Sequence, residues 1–481
     1  MLFSSVEFLI FLGATVAFFY WLINTSFRGR QLSFLVLASL FFYAWWNPVY
    51  LALLLCSIGC NYIIGYQIAM TEGKRRRFFF LTGIVGNLLA LGYYKYMDFF
   101  IRTLNEILPI KWACPEITLP LGISFFTFQQ IAFLSDIYTG KLNRPGALQS
   151  YALFICFFPQ LIAGPIVHHA EMMPQFDKGV QYPDWRNLYN GVLLLILGLG
   201  KKVLLADSLA PISKATFDTG LVLSFWDAVF GTLSYSLQLY FDFSGYSDMA
   251  MGCALLFNIR LPENFRSPYK AVSIQDFWHR WHITLSEWLR NYLYIPLGGN
   301  RRGEKRTLLN LGLTFLLGGL WHGAAWTFVI WGALHGAGLI VHRLWIRHVR
   351  WHMPSLLGWG ITFLFVCLAW IAFRAPSFNV MGQIYESLLG VNGFAFSSSF
   401  RYVVASKTGW GLFPFEGVSM FVLLCLAVVL LCPSTLSLLR PFGDSPAPSW
   451  KKTGLGLCIG CAVAVLLVFP QRIQDFIYFQ F

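Results

Sequence analysis

The chain has 481 residues, of which 57% are hydrophobic, 18% aromatic and only 12% charged. No water-soluble domain of this length carries so little charge, which excludes a soluble enzyme or binding module. The net charge of +13 is spread through short segments rather than gathered in one tail or domain, which argues against a nucleic-acid-binding protein.

Apolar runs long enough to cross a bilayer, which takes about 20 helical residues, begin at the N-terminus. They are read at 6–23, 31–46, 49–70, 78–97, 118–138, 150–167, 188–206, 222–241, 246–259, 307–322, 326–341, 356–373, 418–439 and 453–470. Several are short or carry Gly and Pro. The pattern therefore predicts an all-α polytopic membrane protein with about 11 to 14 hydrophobic segments, some re-entrant or interfacial, and 1–481 forming one multi-spanning domain. The first run is too long and aromatic for the apolar part of a signal peptide and lacks a small-residue cleavage site, so it is expected to stay as a span. Basic residues mark every other connection: Arg28 and Arg30, Lys74 to Arg77, Lys141 and Arg144, then Lys201 and Lys202. That rhythm places these connections in the cytoplasm and the N-terminus outside, with the excess charge facing anionic headgroups. The ten cysteines sit mostly inside apolar runs. Even the C-x-x-C pair Cys458 and Cys461 reads as small packing residues rather than redox or metal chemistry.

The stretch 260–306 is too charged to cross and too aromatic to be a free loop. It carries Arg260, Arg266, Lys270, Arg280, Arg290, Arg301, Arg302, Lys305 and Arg306 around Phe277, Trp278, Trp281, Trp288, Tyr292 and Tyr294 at near-helical spacing. It is expected to lie in the cytoplasmic interface as an amphipathic segment, with His282 within it. The apolar run Leu316–Trp326 (LLGGLWHGAAW) then carries His322. An imidazole at membrane depth is costly enough to be a functional hypothesis by default. His322 comes 16 residues after Arg306, about 24 Å of helical rise, and the basic stretch from His342 to His352 returns the chain to the cytoplasm. His322 therefore falls at the outward turn of a helical hairpin and His282 near the inner face. The bland reading keeps both as structural, with ring nitrogens bonded to carbonyls or snorkelling to the interface; His279, His335, His342, His348 and His352 are read that way. His168 and His169 lack a second ligand pair, so no metal site is expected. Asp242 and Asp248 admit a membrane transporter with a carboxylate relay, against which no repeated half is visible. Their bland role is to bond across helices and shape a turn from Phe241 to Ser247.

The run Asp276–Arg290 (DFWHRWHITLSEWLR), then Tyr294–Arg301 (YIPLGGNR), then Gly318–Gly323 (GGLWHG), resembles the membrane-bound O-acyltransferase family, in its bacterial polysaccharide branch. Phe42–Trp46, Pro120–Phe125, Phe158–Pro165, Tyr240–Ala250 and the final Phe476–Phe481 match it in the same order, so the resemblance spans nearly the whole chain, with its motif core at 118–341. His279 departs from the arginine expected there, and the tail after residue 440 is shorter than in the alginate proteins.

The resemblance implies that His322 is catalytic and that His282 lines the same path. A neutral imidazole can take the proton of an acceptor hydroxyl as it attacks a thioester, or carry the acyl group for one step. Acetyl-CoA is the implied donor, a substrate rather than a bound cofactor, with its phosphates on Arg280, Arg290 and Arg301. The implied product is an O-acetylated extracellular polysaccharide, alginate or a related polymer such as cellulose, reached through a periplasmic acetyltransferase partner or directly. The implied location is the bacterial inner membrane. Teichoic acid, peptidoglycan and lipid are the alternative acceptors.

Overall fold

The computed structural model describes residues 1–23, 25, 29–109, 111–178, 182–349, 351, 353–408, 415–439 and 476–477. There is no strand among the described residues. The first helices, α1 (Val6–Ile23), α2 (Gln31–Ala44) and α3 (Pro48–Met70), stand where the apolar runs place them. Asn47 caps α3 by accepting the Val49 N–H at 2.9 Å, and Pro48 occupies the first helical position, where no N–H is needed. α4 (Gly73–Leu91) continues through a π-turn at Gly92–Tyr96 into α5 (Met97–Ile107), so the run read at 78–97 is longer than expected. Among the described residues, five helical segments are long and apolar enough to cross a membrane: Val6–Ile23, Pro48–Met70, Gly73–Ile107, Trp326–His348 and Ser355–Arg374.

Next come α6 (Ile123–Tyr138), α7 (Leu148–Cys156), α8 (Phe158–Leu161) and α9 (His169–Lys178). The expected span 150–167 is thus two short helices, broken where Phe157 leaves helical geometry ahead of Pro159. α10 (Trp185–Gly200) runs through a π-turn at Lys201–Ala206 into α11 (Asp207–Phe217). Lys201 and Lys202 therefore lie inside a helical run, not in a cytoplasmic loop. α12 (Phe225–Leu255) is one helix of 31 residues. The two runs read at 222–241 and 246–259 are fused in it, and no turn separates Phe241 from Ser247.

The remaining helices are α13 (Ile274–Trp278), α14 (Ile283–Leu289), α15 (Glu304–His322), α16 (Trp326–His348), α17 (Ser355–Arg374), α18 (Phe378–Leu388), α19 (Ser398–Thr408), α20 (Phe415–Leu431) and α21 (Thr435–Leu439). The segment read at 453–470, with Cys458 and Cys461, lies outside the described residues.

The chain divides into two compact units. The first holds 1–196 and 247–262 and is built around α6. That helix has 16 residues and is buried on nearly every side, which is why it can carry Gln129, Gln130 and Asp136. Gln130 bonds Ser57 at 3.0 Å and also Asn61, which in turn meets Asn87, so amides tie α3, α4 and α6 together. Gly65 and Gly83 let α3 and α4 approach α6, since a Cβ on either would lie within 3 Å of Phe133 or Leu134. Gly122 precedes α6 with φ +72° while its α-carbon faces the Leu161 carbonyl, a place where only glycine fits. The second unit holds the described residues of 197–246, 263–439 and 476–477, and contains the histidines singled out above except His168 and His169, with His352 outside the described residues.

Candidate active site

The hairpin of α15 and α16 positions His322. Glycines line its seam: a Cβ on Gly319 would lie 2.3 Å from the Phe328 carbonyl oxygen, and one on Gly332 would lie 2.3 Å from that of Phe315. The two backbones are therefore in direct contact, the small-residue packing that membrane helices use when no hydrophobic driving force separates them from lipid. His322 is the last residue of α15, ahead of the turn 323–325, as the spacing predicts. Its ring is 4% exposed, and Trp331 meets it edge-on at 4.9 Å, with Phe373 at 5.3 Å. A histidine that merely snorkelled would reach water; this one is enclosed by aromatic side chains.

His282 departs from expectation. The 260–306 stretch is not one amphipathic helix but folds in short pieces, α13 and α14 among them, with its aromatic residues turned inward. Phe277, Trp278, Trp281, Leu285 and Trp288 are buried, and His282 is fully so. His282 caps α14 with φ 44° and ψ 55°, left-handed geometry that costs a non-glycine residue about 1–2 kcal/mol. Asn264 holds it there. The Asn264 carbonyl oxygen accepts the Ile283 N–H at 3.0 Å, and its side-chain oxygen accepts from Thr284 Oγ1 at 3.0 Å and the Thr284 N–H at 3.4 Å. The same Oδ1 lies 3.0 Å from His282 Nδ1. A backbone N–H can only donate, so the atom facing Thr284 is the amide oxygen, and His282 must carry its proton on Nδ1. That leaves the lone pair on Nε2, which has no hydrogen-bond partner among the described residues. Burial pushes this imidazole down to about 3, so it is neutral at physiological pH. The result is a dry, tautomer-fixed base.

Aromatic rings connect the two histidines. Phe243 meets His282 edge-on at 4.8 Å, and Phe265 bridges to Trp281 at 5.1 Å. Trp281 lies 5.0 Å from Trp370, which stacks on Trp331 at 5.6 Å, the tryptophan beside His322. Trp370 is fixed by donating to Tyr269 Oη at 3.1 Å, and Tyr269 in turn donates to the Ser236 carbonyl at 2.6 Å. His335, read as structural from the sequence, is fully buried in the same wall. Its Nδ1 accepts the Trp278 indole N–H at 3.2 Å, and its ring lies 4.7 Å from Trp331.

The three arginines expected to meet a donor's phosphates are not alike. Arg280 is half-buried and tied to Asp276 at 2.7 Å. Arg290 and Arg301 are exposed, with no ion pair among the described residues. Both sit on one compact corner, where the Ile295 N–H bonds the Arg290 carbonyl, the Arg301 N–H bonds that of Gly298, and Asn310 anchors Gly299 to α15. His279 is exposed. Sequence reasoning missed a buried ionic cluster, in which Lys202 lies 2.8 Å from Asp207 and 2.7 Å from Asp242. The second oxygen of Asp242 accepts the Ile477 N–H at 2.9 Å. It missed Asn264 as well. An acidic residue inside an apolar run was a visible signal for the first; nothing local marked the second.

Helices that cross a bilayer, and a second unit that buries His282, His322 and His335 among aromatic rings, define an all-α, multi-pass membrane protein with a buried base. The description "MBOAT, membrane-bound O-acyltransferase family" matches residues 138–382. A peptidoglycan O-acetyltransferase of Helicobacter pylori is 44% identical over 93% of this chain and 91% of its own length. A protein of Pseudomonas aeruginosa named probable alginate O-acetylase AlgI is 40% identical over 85% of this chain and 78% of its own. A teichoic acid D-alanyltransferase of Bacillus subtilis is 27% identical over 68% of this chain and 86% of its own. The chain belongs to the membrane-bound O-acyltransferase family and is an O-acyltransferase.

Proposed function

We propose that this enzyme moves an acetyl group from cytosolic acetyl-CoA to a hydroxyl of a cell-envelope polysaccharide, working in the bacterial inner membrane with a periplasmic partner that completes the transfer. The observation that carries the reading is the fixed tautomer of His282, linked to His322 by a continuous aromatic wall. A neutral imidazole at His282 and a buried one at His322, in a water-poor body, suit acyl transfer, where stray water would hydrolyse the thioester. His322 takes the proton of the attacking hydroxyl as oxygen bonds to the thioester carbonyl carbon; the C–S bond breaks, and the thiolate receives a proton as it leaves. His282, with its Nε2 lone pair, can accept a proton or a hydrogen bond on the same path but cannot donate from that nitrogen. Arg290 and Arg301 are free to meet donor phosphates as charge-assisted contacts, a role for which Arg280 is less suited while Asp276 holds it.

The near end-to-end correspondence with the peptidoglycan-acting relative, against 78% of the alginate-acting one, favours peptidoglycan as acceptor; an alginate-type exopolysaccharide is the second reading. The test uses purified protein in liposomes, with acetyl-CoA labelled in the acetyl group. Release of free CoA and transfer of label are expected, both lost in His322→Ala. Absence of thioester turnover, with and without a periplasmic partner, would sink the enzyme assignment to acetyl-CoA. Base-labile acetate in peptidoglycan and in exopolysaccharide, measured from cells with and without the protein, separates the two acceptors.

A further inference from the structure

The indole of Trp278 can only donate, so the 3.2 Å contact from its Nε1–H fixes His335 Nδ1 as an acceptor. An imidazole with its lone pair on Nδ1 is neutral and carries its proton on Nε2. His335 is fully buried, and that Nε2–H meets no acceptor among the described residues. The rings around it, Trp331, Phe365, Trp370 and Phe277 at 4.7–6.2 Å between centroids, offer π faces, which are weak acceptors at best. One turn earlier on the same face of α16, the Trp331 Nε1–H is also buried and without an acceptor among the described residues. Buried donors left open are costly, and folded proteins keep few of them without a role.

Both donors are held rigidly. Gly332, between them in the chain, packs on the Phe315 carbonyl, Trp370 stacks on Trp331 at 5.6 Å, and Trp278 fixes the His335 imidazole. Trp331 touches both histidine rings of the hairpin, His322 at 4.9 Å and His335 at 4.7 Å. His282 carries the opposite tautomer, with a lone pair rather than a proton on its unpartnered Nε2. The wall thus presents an acceptor at one imidazole and donors at the other end. In acyl transfer the thioester carbonyl oxygen gains negative charge as the hydroxyl adds, and surrounding aromatic carbon alone would oppose that charge. Neither His282 Nε2, which can only accept, nor His322 acting as base supplies a donor to it; His335 and Trp331 do.

We propose that His335 is a third catalytic histidine, whose Nε2–H, together with the Trp331 Nε1–H, donates to the carbonyl oxygen of the acyl group during transfer. This rests on the acyl-transfer reading above. As the hydroxyl oxygen bonds to the carbonyl carbon, the π pair of the C=O moves onto oxygen, where these N–H groups hold the charge. When the C=O re-forms, the C–S bond breaks and the thiolate leaves with a proton. His335 keeps its own proton throughout.

Full-length protein in liposomes is given acetyl-CoA labelled in the acetyl group, and rates are compared at matched amounts of folded protein. His335→Phe should lower kcat about 100-fold, as loss of one preorganised donor does, with little change in KM. His335→Gln, whose amide can accept from Trp278 and still donate, should recover most of the rate; Trp331→Phe, which keeps a ring and loses the N–H, should show a smaller loss in kcat. A second readout needs no turnover. The ketone analogue of acetyl-CoA, with a methylene in place of the thioester sulfur and carbon-13 at the carbonyl, is bound and its C=O stretch read by isotope-edited infrared spectroscopy. The stretch should lie at lower frequency in the parent than in His335→Phe. Parental kcat and an unmoved stretch in His335→Phe would overturn the proposal and leave the donor to a buried water. Equal loss of rate in His335→Gln and His335→Phe, with the stretch unmoved, would overturn it in favour of a structural role. A parent that neither turns over acetyl-CoA nor binds the ketone would refute the acetyl-CoA assignment itself, and the proposal with it.

Discussion

Replacing Asn264 with alanine removes every acceptor that its side chain offers: to His282 Nδ1 and Thr284 Oγ1, each at 3.0 Å, and to the Thr284 N–H. Buried donors left without acceptors cost about 1–3 kcal/mol each, so the variant should lose about 2–4 kcal/mol of stability after local relaxation. The catalytic effect is separate. Without Oδ1, the His282 proton loses about 1.4 kcal/mol of preference for Nδ1, and the fraction with a free Nε2 lone pair drops. At matched amounts of folded protein, label transfer from acetyl-CoA should fall about tenfold in kcat with little change in KM, because an interaction of the reacting base rather than of the bound donor has been removed. Asn264→Asp keeps an acceptor at the same place and should recover most of the rate. A carboxylate also favours the imidazolium, so the acidic limb of its pH–rate profile should move to higher pH. Wild-type kcat in folded Asn264→Ala, or a pH profile of Asn264→Asp that superimposes on the parent's, would show that the His282 tautomer does not govern the reaction.

Gly319→Ala forces a methyl to 2.3 Å from the Phe328 carbonyl and should cost about 3 kcal/mol by overpacking; thermal unfolding in detergent should register a clear drop, whereas Gly360→Ala, with open space around it, should leave the midpoint unchanged. Lys202→Met strands two buried carboxylates and should destabilise by about 3–5 kcal/mol, most of it recovered when Asp207→Asn and Asp242→Asn are added; a single variant as stable as the parent would deny the cluster a structural role. Stability should also fall in acid. Burial lowers His282 to about 3 and His169 to about 4, against 6.5 in the open chain. Above pH 6.5 both states are neutral and contribute no slope; below it the unfolded chain takes protons that the folded one refuses, at about 1.4 kcal/mol per unit for each group. Unfolding midpoints at pH 7 and pH 5 in urea test this, and equal values would refute it.

The α15–α16 hairpin was legible almost to the residue, read at 307–322 and 326–341 and found at Glu304–His322 and Trp326–His348. It was legible because one costly side chain and several glycines interrupt an otherwise uniform apolar pattern. The fusion of two runs into α12 was not, because Asp242, Ser244 and Gly245 carry the composition of a turn. The helix continues through them since Asp242 is neutralised by Lys202 and Gly245 packs against the Gly198 carbonyl, where a Cβ would sit at 2.8 Å. Both partners are distant in sequence. His282 was placed in the right segment but on the wrong side of its surface. Nine basic residues dominate the composition of 260–306, and no local rule reveals that the tryptophans between them turn inward. Asn264, 18 residues before the ring it orients, has no periodic or motif signal at all.

Lys202 shows how such a miss propagates. As one of a basic pair closing an apolar run, it counted as a cytoplasmic loop charge and supported the orientation of the chain. In the structure it is 4% exposed and neutralised between two carboxylates, and Lys201 donates to Thr435 Oγ1 at 2.6 Å. Neither faces headgroups, so neither bears on topology, because the positive-inside rule concerns charges in short loops and near span ends. Lys74 to Arg77 begin α4 in the connection after α3, and Lys141 and Arg144 are exposed after α6; these still meet the rule's condition. The expectation that the connection before α4 and the one after α6 face the cytoplasm therefore rests on these charges alone. The side on which α10 and α11 meet is not fixed by these two lysines, because a charge neutralised inside the fold does not count toward that rule.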